Sequence, residues 1–345
     1  MADLVAVVAV AVVVNLMIFF THFNINKPFY DMNTLKRSLS AIFASSIFCL
    51  TANAEPEVAA AAKQTQFNTP QEAAERLIEA TAAFQVASLK EILGPDCDDI
   101  ISSEDPVMDK QRAQDFAQKA KQKLAVEIDP KNPNQATLAV GEDAFPLPIP
   151  LVKKDGKWSF DTAAGREEIL HRRIGANELD AIQICRGYVE AQHEYASEKR
   201  DGAMVHQYAQ RVMSTPGKQD GLAWKGVDGS WQGPVGEEIA KALEQGYSEK
   251  NKPQPYHGYV FKVLKGQGPA APLGELNFVI KGAMIGGFAL AAAPAEYEVT
   301  GVKTFIVSHT GIVYEKDLGP ETLKAFEKME MFNPDDTWTA TEDEW

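Results

Sequence analysis

Residues 301–315 read GVKTFIVSHTGIVYE and contain two short runs of β-branched and aromatic residues on either side of Thr310-Gly311. A glycine between two such runs favours a tight turn, so the stretch predicts a β-hairpin with strands at Val302–Val307 and Ile312–Glu315. Three further β-rich runs precede it, at Tyr259–Leu264, Leu276–Ile280 and Gly287–Ala292. Pro320 then opens a final helix. The C-terminal part is therefore predicted to be an antiparallel meander closed by a helix.

Helical spacing of apolar residues dominates the chain upstream of this meander. Thr162–Ile174 and Asn177–Glu198 are predicted as two consecutive helices, with Asn177 as the N-cap of the second. An irregular stretch rich in glycine and tryptophan separates them from the meander. The C-terminal domain therefore combines a long helix with an antiparallel sheet.

The N-terminal part has its own helical and β-rich segments. Thr69-Pro70-Gln71-Glu72 is a capping box with proline at the first helical position, and helices follow it. Asp155-Gly156 joins two β-rich runs and favours a hairpin. The fold class is therefore predicted to be α+β. The predicted parts are a small α+β domain at 69–162, a helix-and-sheet domain at 163–333 and an acidic tail at 334–345.

The first 54 residues carry the features of an export signal. Lys36-Arg37 precedes an apolar run, Leu39–Leu50, and Ala52-Asn53-Ala54 matches the small-residue cleavage pattern. We expect cleavage after Ala54 and no stable membrane insertion afterwards, because a bilayer core requires ~20 apolar residues. The predicted segments are a spurious upstream extension or hydrophobic segment at 1–31, a signal peptide at 32–54 and a flexible leader at 55–68.

The composition narrows the classes of partner. The chain has 34 basic and 48 acidic residues, for a net charge of −14. Such a protein is repelled by phosphate backbones, which argues against nucleic-acid binding. Together with the export signal, this predicts a periplasmic or secreted protein of a Gram-negative bacterium.

Two cysteines, Cys97 and Cys185, lie beyond the signal peptide. In an oxidising compartment they would form a disulfide, whose long loop would stabilise the protein by roughly 4–5 kcal/mol. The alternative is two separate buried thiols. The sequence leaves both open.

Four short stretches resemble one family of exported bacterial proteins, catalogued as domain of unknown function 2950. They are FDTAAGREE at 160–168, PYHGY at 255–259, MIGGFA at 284–289 and DLGP at 317–320. The resemblance implies no known activity, ligand or catalytic residue.

Parts of the chain also resemble two known folds. NELDAI at 177–182, GYVF at 258–261 and GIVY at 311–314 resemble the globular heads of type IV pilins and pseudopilins, over residues 175–318. Here a whole domain precedes the helix, whereas pilins have a hydrophobic spine for filament assembly. The element order of the N-terminal domain is similar to the cone-shaped fold of nuclear transport factor 2.

Aromatic residues and one histidine are the candidate binding residues. Trp224 and Trp231, in the irregular stretch, form either an exposed binding surface or part of a core. Tyr256, His257 and Tyr259 lie at the start of a predicted strand. His257 is interpreted as a general base or ligand, or as a packed residue at the strand entry, and the second is favoured because no acidic partner lies at motif spacing.

Three aspartates in the same irregular stretch, Asp201, Asp220 and Asp228, each precede a glycine. Oxygen ligands on a glycine-rich loop suit calcium, which pseudopilin heads commonly bind. Asp-Gly is also a common turn dipeptide. A calcium site and three ordinary turns are the alternatives.

The residues therefore predict a non-enzymatic envelope protein that acts through contacts with an envelope protein partner or as a structural element. No catalytic set and no cofactor other than calcium is indicated. The alternative is an enzyme or small-ligand-binding protein with a pocket in the cone-like domain. Phe84, Phe116, Trp158 and Phe160 would line that pocket, or fill a core instead.

Overall fold

The computed structural model describes residues 64–102, 106–236 and 255–341. The predicted signal peptide, the segment before it, most of the leader and the last four residues of the acidic tail lie outside these ranges. Helices and antiparallel sheets make up the described chain, so the predicted α+β class is confirmed. The chain divides into two compact units, one ending at Ile169 and the other beginning at Leu170.

The first unit packs helices against a five-stranded antiparallel sheet in the order β1-β2-β4-β5, with β3 paired to β2. The helix α1 starts at the predicted capping box, where the Thr69 hydroxyl accepts a hydrogen bond from the Glu72 backbone N–H. The elements are α1 (Pro70–Ala82), α2 (Val86–Leu93), α3 (Asp98–Ile101), α4 (Pro106–Gln122), β1 (Leu124–Asp129), β2 (Asn132–Val140), β3 (Phe145–Pro146), β4 (Leu151–Lys154) and β5 (Lys157–Phe160).

A single helix, α5 (Thr162–Ala196), replaces the two consecutive helices expected from the sequence. The expected N-cap, Asn177, is an interior residue of this helix, so that prediction is wrong. Gly175 lies at the expected break, but a glycine inside a helix costs only about 1 kcal/mol relative to alanine. The helix continues because its buried residues on both sides of this point are anchored in hydrophobic cores.

The second unit is built on a five-stranded antiparallel sheet in the order β16-β15-β14-β13-β8. The predicted hairpin is the β14–β15 pair, in which Val307 lies opposite Val313. The elements after α5 are β6 (Trp224–Lys225), β7 (Trp231–Gln232), β8 (Tyr259–Leu264), β9 (Gly266–Gln267), β10 (Leu276–Asn277), β11 (Val279–Ile280), β12 (Ala283–Met284), β13 (Ala289–Pro294), β14 (Lys303–Ser308), β15 (Val313–Asp317), α6 (Thr322–Lys328) and β16 (Thr339–Ala340).

Helices contact both faces of this sheet, and all six residues of β13 are buried. On one face, the Glu178 carboxylate of α5 accepts hydrogen bonds from the backbone N–H groups of Val302 and Lys303. On the other, Lys262 of β8 donates to the Glu327 carbonyl of α6 over 2.9 Å. The first contact anchors α5 at the start of β14, and the second anchors α6 against β8. Within the described residues, no helix combines the length and the apolar character that crossing a membrane requires.

Candidate functional site

A tight turn at the entrance of β8 positions the first candidate residues. Tyr256 and Tyr259 exchange both backbone hydrogen bonds, with His257 and Gly258 at φ values of 49° and 74° between them. Two successive residues with positive φ are the signature of the hairpin turn that matches strand twist. Glycine is required at the second position, because a Cβ there would lie 2.5 Å from Asn177 Nδ2.

His257 is held in this turn by a carboxylate of α5. Its Nδ1 lies 2.5 Å from Asp180 Oδ2, and both side chains are partly exposed. The bond fixes the orientation of the ring, and Nε2 has no partner in the described part of the chain, as in an oriented general base. Sequence reasoning missed this acidic partner because it lies 77 residues upstream. Only the packing of α5 on the sheet brings the two residues together.

One face of α5 and the neighbouring loop enclose an open groove of about 450 Å³, called the α5 groove below. Tyr188, Leu222 and Leu290 contribute a buried apolar floor. Gly187 lies on the same face of the helix, and no atom lies within 4 Å of the Cβ that another residue would place there. The missing side chain helps to keep the groove open.

The rim of the α5 groove is acidic. Asp180, Glu190 and Glu194 line it at helical spacing, and the two glutamates are exposed. Within the described chain, neither glutamate carboxylate has an ion pair or a hydrogen bond. Their charges are therefore available to a cationic group of a ligand. Among the described residues of the lining, His257 is the only one that can carry a positive charge.

The groove has the composition of a binding surface. Of the described residues that line it, none is a serine, threonine or cysteine, and the hydroxyl groups of this lining are those of Tyr188 and Tyr256. An apolar floor inside a charged rim is the arrangement found at protein-recognition sites.

The structure separates the three residues predicted at the start of β8. Tyr256 and His257 line the α5 groove, with ring centroids 4.3 Å apart. Tyr259 is fully buried and donates its hydroxyl to the Lys303 carbonyl. Burial raises the pKa of Tyr259, and the nearby Glu178 carboxylate raises it further. Tyr259 is therefore a core residue, while the other two belong to the lining of the α5 groove.

The two tryptophans lie in a small hairpin formed by β6 and β7. Trp224 is buried, donates its Nε1–H to Gln232 and stacks beneath the Arg200 guanidinium at 4.8 Å. Trp231 is partly exposed, with Lys225 Nζ 5.0 Å from its ring centroid. Trp224 thus corresponds to the core alternative, and only Trp231 presents an accessible aromatic surface.

Each of the three candidate calcium ligands accepts hydrogen bonds from a nearby loop. Asp201 accepts from the Gln219 N–H, Asp220 from the N–H and hydroxyl of Thr215, and Asp228 from Ser230. Across 64–102, 106–236 and 255–341, no three His, Cys, Asp or Glu side chains form a group that could hold a metal ion. The aspartates act as turn-stabilising residues, and a calcium site there remains untested.

Both cysteines are free and fully buried. Cys97 belongs to the core of the first unit and Cys185 to the core of the second unit. The structure therefore has two separate buried thiols in place of a disulfide. In the first unit, Phe116, Trp158 and Phe160 belong to the hydrophobic core. Phe84 is partly exposed. Phe116, Trp158 and Phe160 therefore fill a core, and the cone-like pocket stays a prediction.

Comparison with known proteins gives one match. A family model described as "Protein of unknown function (DUF2950)" covers residues 64–341. No curated protein and no solved structure matches the chain. The likenesses to pilin heads and to nuclear transport factor 2 therefore remain predictions.

Proposed function

This chain belongs to the DUF2950 family, and we propose that it is an exported envelope protein that binds another protein through the α5 groove and catalyses no reaction. The proposal rests on the carboxylates of Glu190 and Glu194, which lie above an apolar floor and have no partner among the described residues. Two uncompensated charges of one sign attract a partner of opposite charge, and the apolar floor supplies contact area once water is displaced.

Export is tested by the N-terminus of the processed protein. We expect mass spectrometry of the tagged protein from a periplasmic extract to find a chain that starts at Glu55. Recovery of a chain that still contains residues 32–54, or its retention in the cytoplasm, would refute export.

Binding is tested by photo-crosslinking in the native cell envelope. A photoreactive amino acid replaces Gln183, an exposed residue lining the α5 groove. The control is the same replacement at Lys131, an exposed residue of the first unit. We expect one defined adduct from position 183, none from position 131, and at least a tenfold lower yield when Glu190→Gln and Glu194→Gln are added. Equal labelling at both positions, or no adduct at 183, would contradict the proposal.

A further inference from the structure

The strand β8 forms one edge of the second unit's sheet. It pairs with β13 along its whole length, from Leu264 opposite Ala289 to Tyr259 opposite Pro294, without a break in register. No other named strand pairs with β8 in the described part of the chain. Its second side is therefore an edge, which presents backbone groups to any chain that approaches.

The direction of each backbone group follows from the turn before the strand. Tyr259 exchanges both hydrogen bonds with Tyr256, so its N–H and C=O point away from β13. Backbone groups alternate in direction along an antiparallel strand. Phe261 and Val263 must therefore also point their N–H and C=O groups away from β13. Lys265 continues the alternation, because its carbonyl accepts the Phe278 N–H on the same side.

These groups form an open window in the edge. The Tyr256 backbone closes one end and Phe278 closes the other. Between them, Phe261 and Val263 make no backbone hydrogen bond on this side to any residue that the structure describes. Both residues are partly buried, yet their four backbone groups have no partner among residues 64–102, 106–236 and 255–341. At ~3.3 Å per residue, the window accommodates a short extended segment of about four residues.

Clefts lie on both sides of the window. Phe261 lines the α5 groove with its acidic rim. Lys262, whose side chain alternates with that of Phe261, lines a second cleft of about 510 Å³. The exposed side chains of Leu276 and Met331 contribute apolar surface to this second cleft. Its charged lining residues are two lysines and two glutamates, Lys262, Lys265, Glu275 and Glu330. Side chains of an added strand alternate between the two faces, so one set enters the acidic groove and the other enters the second cleft.

We infer that β8 binds a short extended segment of a partner protein by strand addition, with basic side chains at alternate positions facing Asp180, Glu190 and Glu194. This inference rests on the proposed function and adds the mode of binding and the chemistry of the partner. Backbone pairing supplies affinity in strand addition, and the flanking pockets select the side chains. Charge complementarity with the rim selects lysine or arginine on one face. In the second cleft the two lysines and two glutamates balance in charge, so the apolar surface of Leu276 and Met331 favours apolar residues on the other face.

The test uses a blocked octapeptide of alternating lysine and valine, titrated against the full chain by fluorescence anisotropy. A glutamate–valine octapeptide is the charge control, and a fully N-methylated lysine–valine octapeptide is the backbone control. We expect the lysine–valine peptide to bind at least tenfold more tightly than either control. Its binding should also weaken at least tenfold in Glu190→Gln/Glu194→Gln. Amide hydrogen exchange at Val263 should slow when the lysine–valine peptide is present.

A matched pair of variants isolates the contribution of the Val263 backbone N–H to peptide binding. Val263→Pro removes an N–H that faces away from β13, so the ladder within the sheet is retained and proline is tolerated at such an edge. Val263→Ala removes the same side chain and keeps the N–H. We expect Val263→Pro to weaken binding at least tenfold relative to Val263→Ala. If Val263→Pro fails to fold, the N-methylated peptide against the unaltered chain decides the question.

The outcomes separate the two proposals. Binding that needs Glu190 and Glu194 but is unaffected by Val263→Pro and by N-methylation overturns strand addition and leaves the groove as a binding site. Equal binding of the lysine and glutamate peptides, or no binding of either, also overturns the inference. The crosslink at position 183 then decides independently whether the groove contacts a protein.

Discussion

Replacing Gly258 by alanine should destabilise the second unit more than the same replacement at Gly319. Both glycines have a φ of +74°. A side chain in this left-handed region costs ~1–2 kcal/mol. Around Gly319 no atom lies within 4 Å of an added Cβ, so this backbone cost is the whole expected effect. Gly319→Ala is therefore the matched control.

Gly258 carries an additional packing cost. An added Cβ would lie 2.5 Å from Asn177 Nδ2 and 3.0 Å from Thr300 Cβ. The Asn177 side chain must then move and lose its 2.8 Å hydrogen bond to the Thr300 carbonyl. Leaving such groups unpaired costs ~1–3 kcal/mol. We therefore expect about 2–5 kcal/mol for Gly258→Ala, against about 1–2 kcal/mol for Gly319→Ala.

The assay is hydrogen exchange in increasing urea, followed on peptides from β8 and β14. This readout is needed because a chain with two units does not necessarily unfold in one step. In the Asn177→Ala background, Gly258→Ala should cost less, since the obstructing amide is gone and only the 3.0 Å approach to Thr300 Cβ adds to the backbone cost. Equal costs at positions 258 and 319, or an unchanged cost without the Asn177 side chain, would refute the close approach of α5 to the turn.

Three further predictions concern titration and charge pairing. Burial raises the pKa of Cys185 to about 12 from its ordinary 9.0. The unfolded chain therefore releases this proton first, and stability should fall by about 1.4 kcal/mol per pH unit above pH 9. Urea titrations at pH 9 and 10 should show that slope reduced in Cys185→Ala, and an identical slope in the variant would contradict the assignment. Burial lowers the pKa of His309 below its ordinary 6.5, and nearby His193 lowers it further. Because the unfolded chain then binds more protons, stability should fall as the pH drops below 6.5. Between pH 7 and 5, the urea midpoint of His309→Phe should therefore fall less than that of the unaltered chain. Arg166 pairs with both Asp99 oxygens, at 2.7 and 2.8 Å, and this hydrogen bonding lowers the pKa of Asp99. Arg166→Lys should lower the free energy of unfolding by under about 1 kcal/mol at pH 7, because the pair is partly exposed. This loss should vanish well below pH 3.8, where Asp99 becomes protonated. A loss that is unchanged in acid would exclude the ion pair as its source.

The hairpins and the first helix start could be predicted from the sequence because local chemistry determines them. Thr69 caps α1, and the turns at Asp155-Gly156 and Gly311 lie where backbones with positive φ are needed. The continuity of α5 could not be predicted in this way. Asn177 has the chemistry of an N-cap, but its amide binds the Thr300 carbonyl, a contact that exists only after the sheet forms.

The candidate site also combines residues that could be predicted from the sequence with residues that could not. Tyr256 and His257 were recognisable as binding candidates because aromatic residues and histidine are frequent in sites. Asp180 was not, since nothing in the sequence links it to a turn 77 residues downstream. The burial of Trp224 was equally hidden, because the stacking of Arg200 over its ring depends on how an irregular loop folds back.

Gly187 links the architecture of α5 to the evolution of its groove. Alanine at this position would favour the helix by up to about 1 kcal/mol and would meet no steric obstacle, yet its methyl group would occupy part of the groove. Gly175, in the same helix and outside the groove lining, offers the same gain without that effect. In a lineage that does not use the groove, stabilising substitutions to alanine should therefore be accepted at similar rates at both glycines. In a lineage that depends on the groove, alanine should be accepted only at position 175, and Gly187 should be retained.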